Sequence, residues 1–580
     1  MLLGISEKYF KKKKESALIM RKQTKLVAVL STAALLALGA SMSSFAATGW
    51  QEENGTWVYY DKSGDKETEK WEKSGDNWFY LNEDGEMATD VIVEYNDNYY
   101  YVDENGSMAA NKWVSVENDN YDGSDENEPT NHWYYFGSNG RAYKKATNSN
   151  SATFKTINGK KYIFDDEGKM LFGWINENGE RETTDEDEWS EGLYYCGTEN
   201  DGAQAIGWSS IDIVDNNWED EAIKTSSKNV FDDENQTRWF YFKTNGKKTT
   251  DENGKSINGK KYSFDTDGRM NAEWVNWSVT PSTANEALAT KSYIGEFRYY
   301  GNPEDGARVT KGWFQVVPDS YLSEEDYNDD ETNWYYSDKD GKLTVSQIKT
   351  VNGKKYAFDE RGVMKDGLKI IQFADNSTTE IAHIYGDGGI DGMKSTTQFK
   401  DGDQFKDNMN TVYGEGYSVY YFGSGDDGSM KTGKQNVSID GETFAFSLNK
   451  SGSTKGQGKL GVDDDKYYLG GMLLKADKDD KYAVVAATKK DGKYTNIELL
   501  TTEEFLNVFK VANTAGKGYS EYYDVKADAK DGTDTENGTV YRLVNTAGTV
   551  QKSKTKAKDG SDRCFKVAAN KQIETVFVED

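Results

Sequence analysis

A repeating aromatic motif is the feature of this sequence that most restricts its fold. A Gly-Trp pair at 49–50 is followed by Trp57, seven positions after the first tryptophan, and Trp71 is followed by Trp78 at the same spacing. Each second tryptophan opens a run of large residues, such as Trp-Phe-Tyr-Leu at 78–81. Successive side chains of a strand point to opposite faces, so this run places rings on both faces. A fixed period of this kind predicts a repeat protein.

Further copies of the motif run through much of the chain. Aromatic pairs and triplets recur at 99–101, 133–136, 194–195, 239–242, 299–300, 334–336 and 420–422. A second variant, Asn-Gly-Lys-Lys-Tyr, begins at Asn158, Asn258 and Asn352, and each copy leads through Phe-Asp and a glycine turn to a methionine. The regular spacing of this variant indicates that a block of several units was itself duplicated.

Each copy is predicted to be a β-hairpin. The Asp-Gly and Asn-Gly steps supply the positive φ that tight hairpin turns require. A lone hairpin is marginal in water, so neighbouring hairpins must bury each other's rings. We therefore expect an all-β solenoid of tandem β-hairpin repeats, with acidic loop insertions such as 118–128 and a degenerate β-rich C-terminal part. Residues 476–515 are the least repeat-like, and 499–509 are predicted to be helical.

The motif resembles a known family. A Gly-Trp pair, a seven-residue step, a Trp-aromatic-Tyr-Leu strand and a Gly-x-Met turn are similar to the cell-wall-binding repeats called choline-binding repeats. Related repeats occur in glucan-binding proteins and in clostridial toxins. The resemblance implies a hairpin repeat array over 48–370, and residues 1–47 are expected to be an N-terminal extension with a signal peptide. Degenerate repeats are expected over 371–475 and a divergent β-rich region over 476–580.

The family places a ligand cage between successive hairpins. Carried over to this sequence, the resemblance implies one cage of Trp50 and Trp57 with Tyr80, and a second of Trp71 and Trp78 with Tyr101; these six residues are the predicted ligand-binding residues. Such rings suit a quaternary ammonium ion, and flat rings also stack on sugars. The same rings could serve only to pack the hairpins.

Two departures from the family pattern bear on the ligand. In the third unit the tryptophan position is occupied by Ile92, which cannot make a cation–π contact. Downstream the seven-residue step is stretched by inserts, as between Trp208 and Trp239 or between Trp313 and Trp334. Two partners therefore stay open, the choline of cell-wall teichoic acid and a wall or glucan polysaccharide.

Charge and targeting signals restrict the partners further. The formal net charge of −29 repels nucleic acid, so no nucleic-acid partner is expected. Residues 20–47 have the layout of a secretory signal, with a basic start, an apolar core over 26–38 and small residues before a cleavage site near Ala47. No membrane insertion is expected after cleavage. The mature protein is predicted to be secreted and held at the cell-wall surface by its folded body.

Catalytic residue types are scarce in the sequence. The chain has two histidines, His132 and His383, and two cysteines, Cys196 and Cys564. Nucleophilic catalysis and His-rich metal sites need more than isolated residues of these types, so no catalytic residue, metal or cofactor is predicted. Two alternatives remain open. The chain could be a wall-remodelling hydrolase with a cryptic catalytic region in its C-terminal part, or an adhesin that binds host glycans.

Overall fold

The computed structural model describes residues 48–124, 127–146, 149–183, 188–216, 231, 233–277, 291–385, 399, 401–509, 513–516, 518–525 and 537–580. The predicted signal peptide, in 1–47, lies outside these residues. The chain divides into two compact units. The first comprises Met1–Asn216, Asp233–Glu252 and Phe264–Met270, and the second comprises Asn217–Asp232, Asn253–Ser263 and Asn271–Asp580.

Paired strands follow one another along the first two thirds of the described chain. In sequence order they are Gly49–Glu53 with Thr56–Tyr60 (hairpin 1), Lys70–Ser74 with Asn77–Leu81 (hairpin 2), Val91–Tyr95 with Asn98–Val102 (hairpin 3), Lys112–Glu117 with Asn131–Phe136 (hairpin 4), Lys155–Ile157 with Lys160–Tyr162 (hairpin 5), Trp174–Ile175 with Tyr194–Tyr195 (hairpin 6), Gly207–Val214 with Asn235–Phe242 (hairpin 7), Glu252–Ile257 with Lys260–Phe264 (hairpin 8), Glu273–Asn276 with Phe297–Tyr300 (hairpin 9), Trp313–Val316 with Asn333–Tyr336 (hairpin 10) and Gln347–Val351 with Lys354–Phe358 (hairpin 11). Met364–Lys365 adds a third strand to hairpin 11. The predicted all-β fold of tandem hairpins is confirmed.

The two faces of each second strand differ in burial, as the alternation predicts. In hairpin 2 the side chains of Phe79 and Leu81 are 3% and 0% exposed, whereas Trp78 is 41% exposed. Val102 and Phe136 of the next two hairpins are fully buried in the same way. One face of these three hairpins therefore supplies the core, and the other carries the rings considered below.

A recurrent turn follows the second strand of most hairpins. In the first copy the carboxylate oxygen Oδ1 of Asp61 accepts hydrogen bonds from the main-chain N–H groups of Ser63 and Asp65, at 2.7 and 2.9 Å. Short Asp and Asn side chains favour turns for this reason. The same pair of bonds recurs at Asn82, Asp103, Asp165, Asn176, Asp265, Asp338, Asp359, Asn545 and Asp559. The repeat turn thus persists into the degenerate C-terminal part.

Several glycines of the recurrent turn pack against the hairpin before them. An added Cβ on Gly106 would lie 2.8 Å from Sδ and Cε of Met87, the methionine of the preceding Gly-x-Met turn. Gly140 meets Met108 in the same way, and in the second unit Gly428 meets Met364. The methionine side chain would have to shift to admit a Cβ here, and the positive φ also favours glycine. Within each unit, hairpins are therefore stacked in register through turn contacts.

Beyond residue 366 the strands join larger sheets. The first is a three-stranded sheet with Gly367–Phe373 between Ile381–Ile384 and Ser418–Phe422, and the second is a five-stranded sheet in the order Gly433–Ile439, Glu442–Leu448, Met472–Leu473, Lys466–Leu469, Gly461–Asp463. The third is a three-stranded sheet in the order Lys493–Leu500, Tyr482–Lys490, Gly538–Asn545. The fourth is a four-stranded sheet in the order Tyr519–Asp524, Ile573–Glu579, Cys564–Val567, Lys554–Lys558. Aliphatic residues from several of these sheets share one hydrophobic core, which includes Val437, Leu469, Val485 and Val544. This part of the chain is β-rich, as predicted.

Five helices and one 3₁₀ turn are described. They are Glu188–Glu191, Lys291–Gly295, Glu324–Asn328, Gly402–Gly414, Thr502–Phe509 and the 3₁₀ turn Gly425–Asp427. The helix predicted at 499–509 is confirmed from Thr502, after a strand that ends at Leu500. Helix Gly402–Gly414 was not predicted. No helix among the described residues combines the length and the apolar character needed to span a bilayer.

Candidate ligand-binding joints between hairpins

An aromatic joint is defined here by four positions that meet between one hairpin and the next. The first is the tryptophan of the Gly-Trp pair. The second is the tyrosine directly opposite it on the other strand. The third is the aromatic residue two positions before that tyrosine, which opens the second strand and shares its face. The fourth is the residue after the Gly-x of the next turn, which is methionine in most hairpins.

The joint of hairpin 1 shows how these positions come together. Trp50 lies opposite Tyr59. Trp57 lies opposite Glu52, on the same face as Trp50 and Tyr59. The ring of Trp50 lies 5.4 Å from the ring of Tyr59 and 5.4 Å from that of Phe79 in hairpin 2, edge to face in both cases. The N–H of Met87 donates a 2.7 Å hydrogen bond to the carbonyl oxygen of Trp57. Rings and main chain therefore both tie hairpin 1 to hairpin 2.

The joint of hairpin 2 repeats this arrangement. The ring of Trp71 lies 5.2 Å from Tyr80 and 5.1 Å from Tyr100 of hairpin 3. The N–H of Met108 donates to the carbonyl oxygen of Trp78 at 2.8 Å. Burial raises the pKa of Tyr80, so its hydroxyl stays protonated. Trp78 is the most exposed member, at 41%. Its ring is open to a ligand at the edge of the joint.

The structure distributes the six predicted site residues over three joints. Trp50 and Trp57 share the first joint, but the ring that Trp50 contacts in hairpin 2 is Phe79 rather than Tyr80. Tyr80 instead belongs with Trp71 and Trp78 in the second joint. Alternation explains the difference, since neighbouring residues of a strand face opposite ways.

Tyr101 lies on the face that belongs to the third joint. It is opposite Ile92, and its ring lies 6.2 Å from Phe136 of hairpin 4. Its hydroxyl donates a 2.5 Å hydrogen bond to Asp90, and burial together with this bond raises its pKa. The residue of hairpin 3 that reaches Trp71 is Tyr100. The third joint keeps a tyrosine but has no tryptophan at the Gly-Trp position.

In two joints that the sequence spacing did not single out, the two tryptophan rings contact each other. In hairpin 7 the rings of Trp208 and Trp239 lie 6.3 Å apart at 85°. In hairpin 10 those of Trp313 and Trp334 lie 6.3 Å apart at 84°. Both pairs form a right-angled corner of two indole rings. The signal that identifies them is strand register rather than sequence distance, because the pairing of the strands is the same although the spacing along the chain is longer.

Strand register places the same residues together in these joints. Trp208 lies opposite Tyr241 and Trp313 lies opposite Tyr336, as Trp50 lies opposite Tyr59. The ring of Trp208 is 5.2 Å from Tyr241 and 5.7 Å from Phe264. The stretched spacing therefore does not disrupt the joint.

Carboxylates of the repeat turns lie beside several joints. In hairpin 10 the indole N–H of Trp334 donates to Asp426 at 2.9 Å. The pKa of Tyr99, which opens the second strand of hairpin 3, is raised by burial and further by nearby acids that include Glu94 and Glu167. Burial also raises the pKa of Asp165, which lies in the same turn as Glu167, to about 6. Negative charge at the rim of a ring favours a cationic ligand.

Aromatic rings of this array already contact cations of the chain. The ammonium of Lys144 lies 5.1 Å from the centre of the Tyr99 ring, and that of Lys349 lies 5.6 Å from Tyr336. Both distances are within the range of cation–π attraction, which contributes roughly 0.5 to 2 kcal/mol. The ring faces are therefore accessible to positive charge.

Histidine and cysteine side chains lie in strands or cores. Burial lowers the pKa of His132, in hairpin 4, and His383 lies in strand Ile381–Ile384. Both cysteines are free and buried, and burial raises the pKa of Cys196 to about 12. Such a thiol is protonated at neutral pH and is a poor nucleophile. Within the described ranges, no group of three or more His, Cys, Asp or Glu side chains is placed to hold a metal ion.

Parts of this chain are similar to known proteins. Residues 68–113 match the family model described as choline-binding repeat, and residues 130–142 match the model described as cell wall binding repeat. Glucosyltransferase-S of Streptococcus mutans is 26% identical over 243 residues, 42% of this chain and 11% of that protein. Glucosyltransferase-I of Streptococcus downei is 28% identical over 293 residues, 50% of this chain and 14% of that protein. The chain thus spans a small part of these relatives.

Solved structures with local similarity come from Streptococcus pneumoniae. The modular autolysin LytC is 20% identical, with a TM-score of 0.29, over 56% of this chain and 55% of that one. Choline binding protein F, solved in the presence of a tetrasaccharide-pentapeptide analogue of peptidoglycan, is 18% identical, with a TM-score of 0.29, over 72% of this chain and 100% of that one. The matches over residues 68–113 and 130–142 confirm the resemblance to choline-binding and cell-wall-binding repeats that the sequence predicted.

Proposed function

We propose that this protein binds the bacterial cell wall non-covalently through its aromatic joints, and that the preferred ligand is the choline of teichoic acid. The observation that carries the proposal is the right-angled corner of Trp208 and Trp239, repeated by Trp313 and Trp334. A trimethylammonium group is wide enough to touch two such rings at once. Two ring contacts contribute roughly 1 to 4 kcal/mol, which corresponds to weak single sites strengthened by repetition.

Charge favours choline over a neutral wall polysaccharide. A sugar stacks on one flat ring and needs hydrogen-bond partners around its rim. The corners instead set two indole planes at a right angle with centres 6.3 Å apart, and Asp426 adds a carboxylate beside Trp334. The lysine ammonium groups that lie over the Tyr99 and Tyr336 rings also support a cationic ligand. A wall or glucan polysaccharide is the second candidate, because exposed single rings such as Trp78 suit it.

Retention on choline-agarose tests the proposal. The full chain should be retained at moderate salt and eluted by free choline, whereas the same concentration of sodium chloride should leave it bound. A variant with Trp57, Trp78, Trp239 and Trp334 replaced by alanine should pass through. Passage of the folded wild-type chain through the column would contradict choline binding. Pull-down by choline-free walls would then favour the polysaccharide, and binding confined to host glycans on an array would favour an adhesin.

We further propose secretion and residence at the wall surface without an enzymatic domain. The signal-like layout of 20–47 supports secretion, and an N terminus near Ala47 or Thr48 on the extracellular protein would test it. The buried, protonated thiol of Cys196 and the strand positions of both histidines support a binding role. Incubation of the full chain with peptidoglycan should release no sugars or peptides, and clear release would favour the wall-remodelling hydrolase.

A further inference from the structure

The joint of hairpin 6 has lysine where the joints of hairpins 1, 2, 4 and 7 have methionine. The N–H of Lys248 donates to the carbonyl oxygen of Leu193 at 2.8 Å, as that of Met108 donates to Trp78. An added Cβ on Gly268 would meet Cγ and Cδ of Lys248 at 2.8 Å, the contact that turn glycines make with methionine elsewhere. The main chain and the aliphatic stem of Lys248 therefore occupy the methionine position of the repeat.

The Trp–Tyr pair of this joint matches that of the joint of hairpin 2. Trp174 lies opposite Tyr195 and its ring is 5.0 Å from it, as Trp71 lies 5.2 Å from Tyr80. Trp174 also lies 5.1 Å from Phe240 of hairpin 7, which corresponds to Tyr100. The pocket that receives Lys248 therefore keeps the Trp–Tyr pair of an aromatic joint, with Leu193 in place of the aromatic residue that opens the second strand.

The ammonium group of Lys248 lies inside this joint. Its nitrogen is 5.2 Å from the centre of the Trp174 ring, and it donates hydrogen bonds to the carbonyl oxygens of Trp189 at 2.5 Å and Ser190 at 3.1 Å. The residue is only 3% exposed. Helix Glu188–Glu191, part of the insert between the two strands of hairpin 6, supplies both carbonyl groups. The insert and the lysine thus complete one enclosed cation site.

Nearby carboxylates offset part of the free-energy cost of burying this cation. Burial lowers the pKa of Lys248 to about 8, while the carboxylates of Asp267, Asp265 and Glu191 oppose that shift. Arg269 pairs with Asp265 and lies 4.6 Å from the centre of the Trp189 ring. The ammonium form therefore predominates at pH 7, although the group is almost completely desolvated.

We propose that Lys248 is the resident cation of the hairpin 6 joint, so that the chain occupies this aromatic site itself and closes it to external ligand. The inference rests on the proposed function, because it treats the joint as a cation site. The number of working sites is then set in part by which residue stands at the methionine position. A bound quaternary ammonium should enter the hairpin 6 joint once the lysine is removed.

Choline titration of full-length variants tests this proposal. Lys248→Met restores the residue found at 87, 108 and 270, and should bind one more choline per chain than the wild type in calorimetry. Lys248→Arg keeps a cation and should retain the wild-type stoichiometry. Adding Trp174→Ala to Lys248→Met should remove the additional site. Equal stoichiometry for wild type and Lys248→Met would overturn the proposal and leave the proposed function intact, whereas absence of choline binding in both would overturn both.

Thermal unfolding gives a second readout if Lys248→Met is weakly folded. Choline that enters a vacated site stabilises the variant in addition to its effect on the other joints. At equal choline concentration, the rise in Tm should therefore be larger for Lys248→Met and for Lys248→Ala than for the wild type. Equal rises in all three proteins would overturn the proposal, and sodium chloride at matched ionic strength provides the control.

Discussion

The indole rings of Trp208 and Trp239 meet at 85° with their centres 6.3 Å apart, although a long insert separates them in sequence. Register produces this contact. Trp208 lies opposite Tyr241, and Trp239 lies two positions before that tyrosine on the same face. Any insert that leaves this pairing intact leaves the corner intact. Ligand sites in the array should therefore follow strand register and not the distance along the chain.

Removal of a corner tryptophan should weaken choline binding at that joint. Trp239→Ala and Trp334→Ala each delete one of two ring faces, which corresponds to about a 2- to 30-fold loss of affinity at the affected site. Calorimetric titration of the full chain should show this as a reduced number of sites of wild-type affinity. Tyr121→Ala removes an aromatic ring that is 44% exposed outside any joint. It should bind as the wild type does, and an equal loss in this control would contradict a specific role for the corner.

A turn glycine that packs on the preceding hairpin should be less replaceable than one in open space. Gly106 and Gly159 have nearly equal φ values, 78° and 83°. Alanine at Gly106 also meets Met87 at 2.8 Å, whereas nothing lies within 4 Å of a Cβ at Gly159. Both substitutions carry the backbone strain of about 1 kcal/mol, and Gly106→Ala adds roughly 1 to 3 kcal/mol of overpacking. Local hydrogen exchange should resolve the difference, and equal destabilisation would show that the turn contact does not support the stacking.

Asp165 should make the stability of its turn depend on pH. Burial raises its pKa in the folded chain from 3.8 to about 6, although the N–H groups of Glu167 and Lys169 donate to its carboxylate. The protonated form is thus favoured by folding, so this contribution is complete below pH 3.8 and is lost as pH rises through 6. Asp165→Asn keeps the acceptor oxygen, as Asn82 and Asn176 do at the same turn position.

The comparison of Asp165→Asn with the wild type isolates that carboxyl. Relative to the variant, the wild type should lose roughly 1 to 2 kcal/mol between pH 4 and pH 7. Thermal unfolding of both proteins across this range measures the difference in Tm. Parallel curves would contradict the assigned burial of the carboxyl group.

The C-terminal part should respond to a core truncation as a conventional domain does. Phe405 is fully buried, and its ring lies 5.7 Å from Phe399 and 5.7 Å from Phe446. Phe405→Ala should cost about 3 to 5 kcal/mol. Val508→Ala, at a side chain that is 53% exposed, should change stability by less than about 0.5 kcal/mol. Hydrogen exchange in helix Gly402–Gly414 reports the loss, since the last tryptophan of the chain is Trp334.

Much of the repeat fold could be predicted from the sequence because its determinants are local. Alternation of faces is set by strand geometry, and it correctly separates Phe79 from Trp78. The turns depend on one Asp or Asn and one glycine a few positions later. These signals lie within a few residues of one another, so inserts elsewhere do not disturb them.

The membership of individual joints was harder to predict because it depends on contacts between hairpins. Whether Tyr80 or Phe79 reaches Trp50 is decided by which face of hairpin 2 packs on hairpin 1. The sequence spacing also hid the corners of hairpins 7 and 10, where loop length masks an unchanged register. Lys248 gave no signal by itself, since its role depends on carbonyl groups of an insert distant in sequence.

The helix at Gly402–Gly414 carried a signal that the repeat pattern obscured. Asp401 caps its first turn through the N–H groups of Asp403 and Gln404, and Phe405, Met409 and Val412 form one buried face. Their spacing is that of an amphipathic helix. The helix supplies three residues of the hydrophobic core described above, so residues 371–475 contain more than weakened hairpins.

Choline titration of the full chain, wild type against the fourfold alanine variant at Trp57, Trp78, Trp239 and Trp334, tests the account most directly. The account predicts saturable binding at several sites of the wild type. In the variant, binding should be largely lost while the β-sheet circular dichroism spectrum is retained. Absence of saturable binding in the wild type, or equal binding by a folded variant, would contradict the claim that rings at the joints between hairpins hold the ligand.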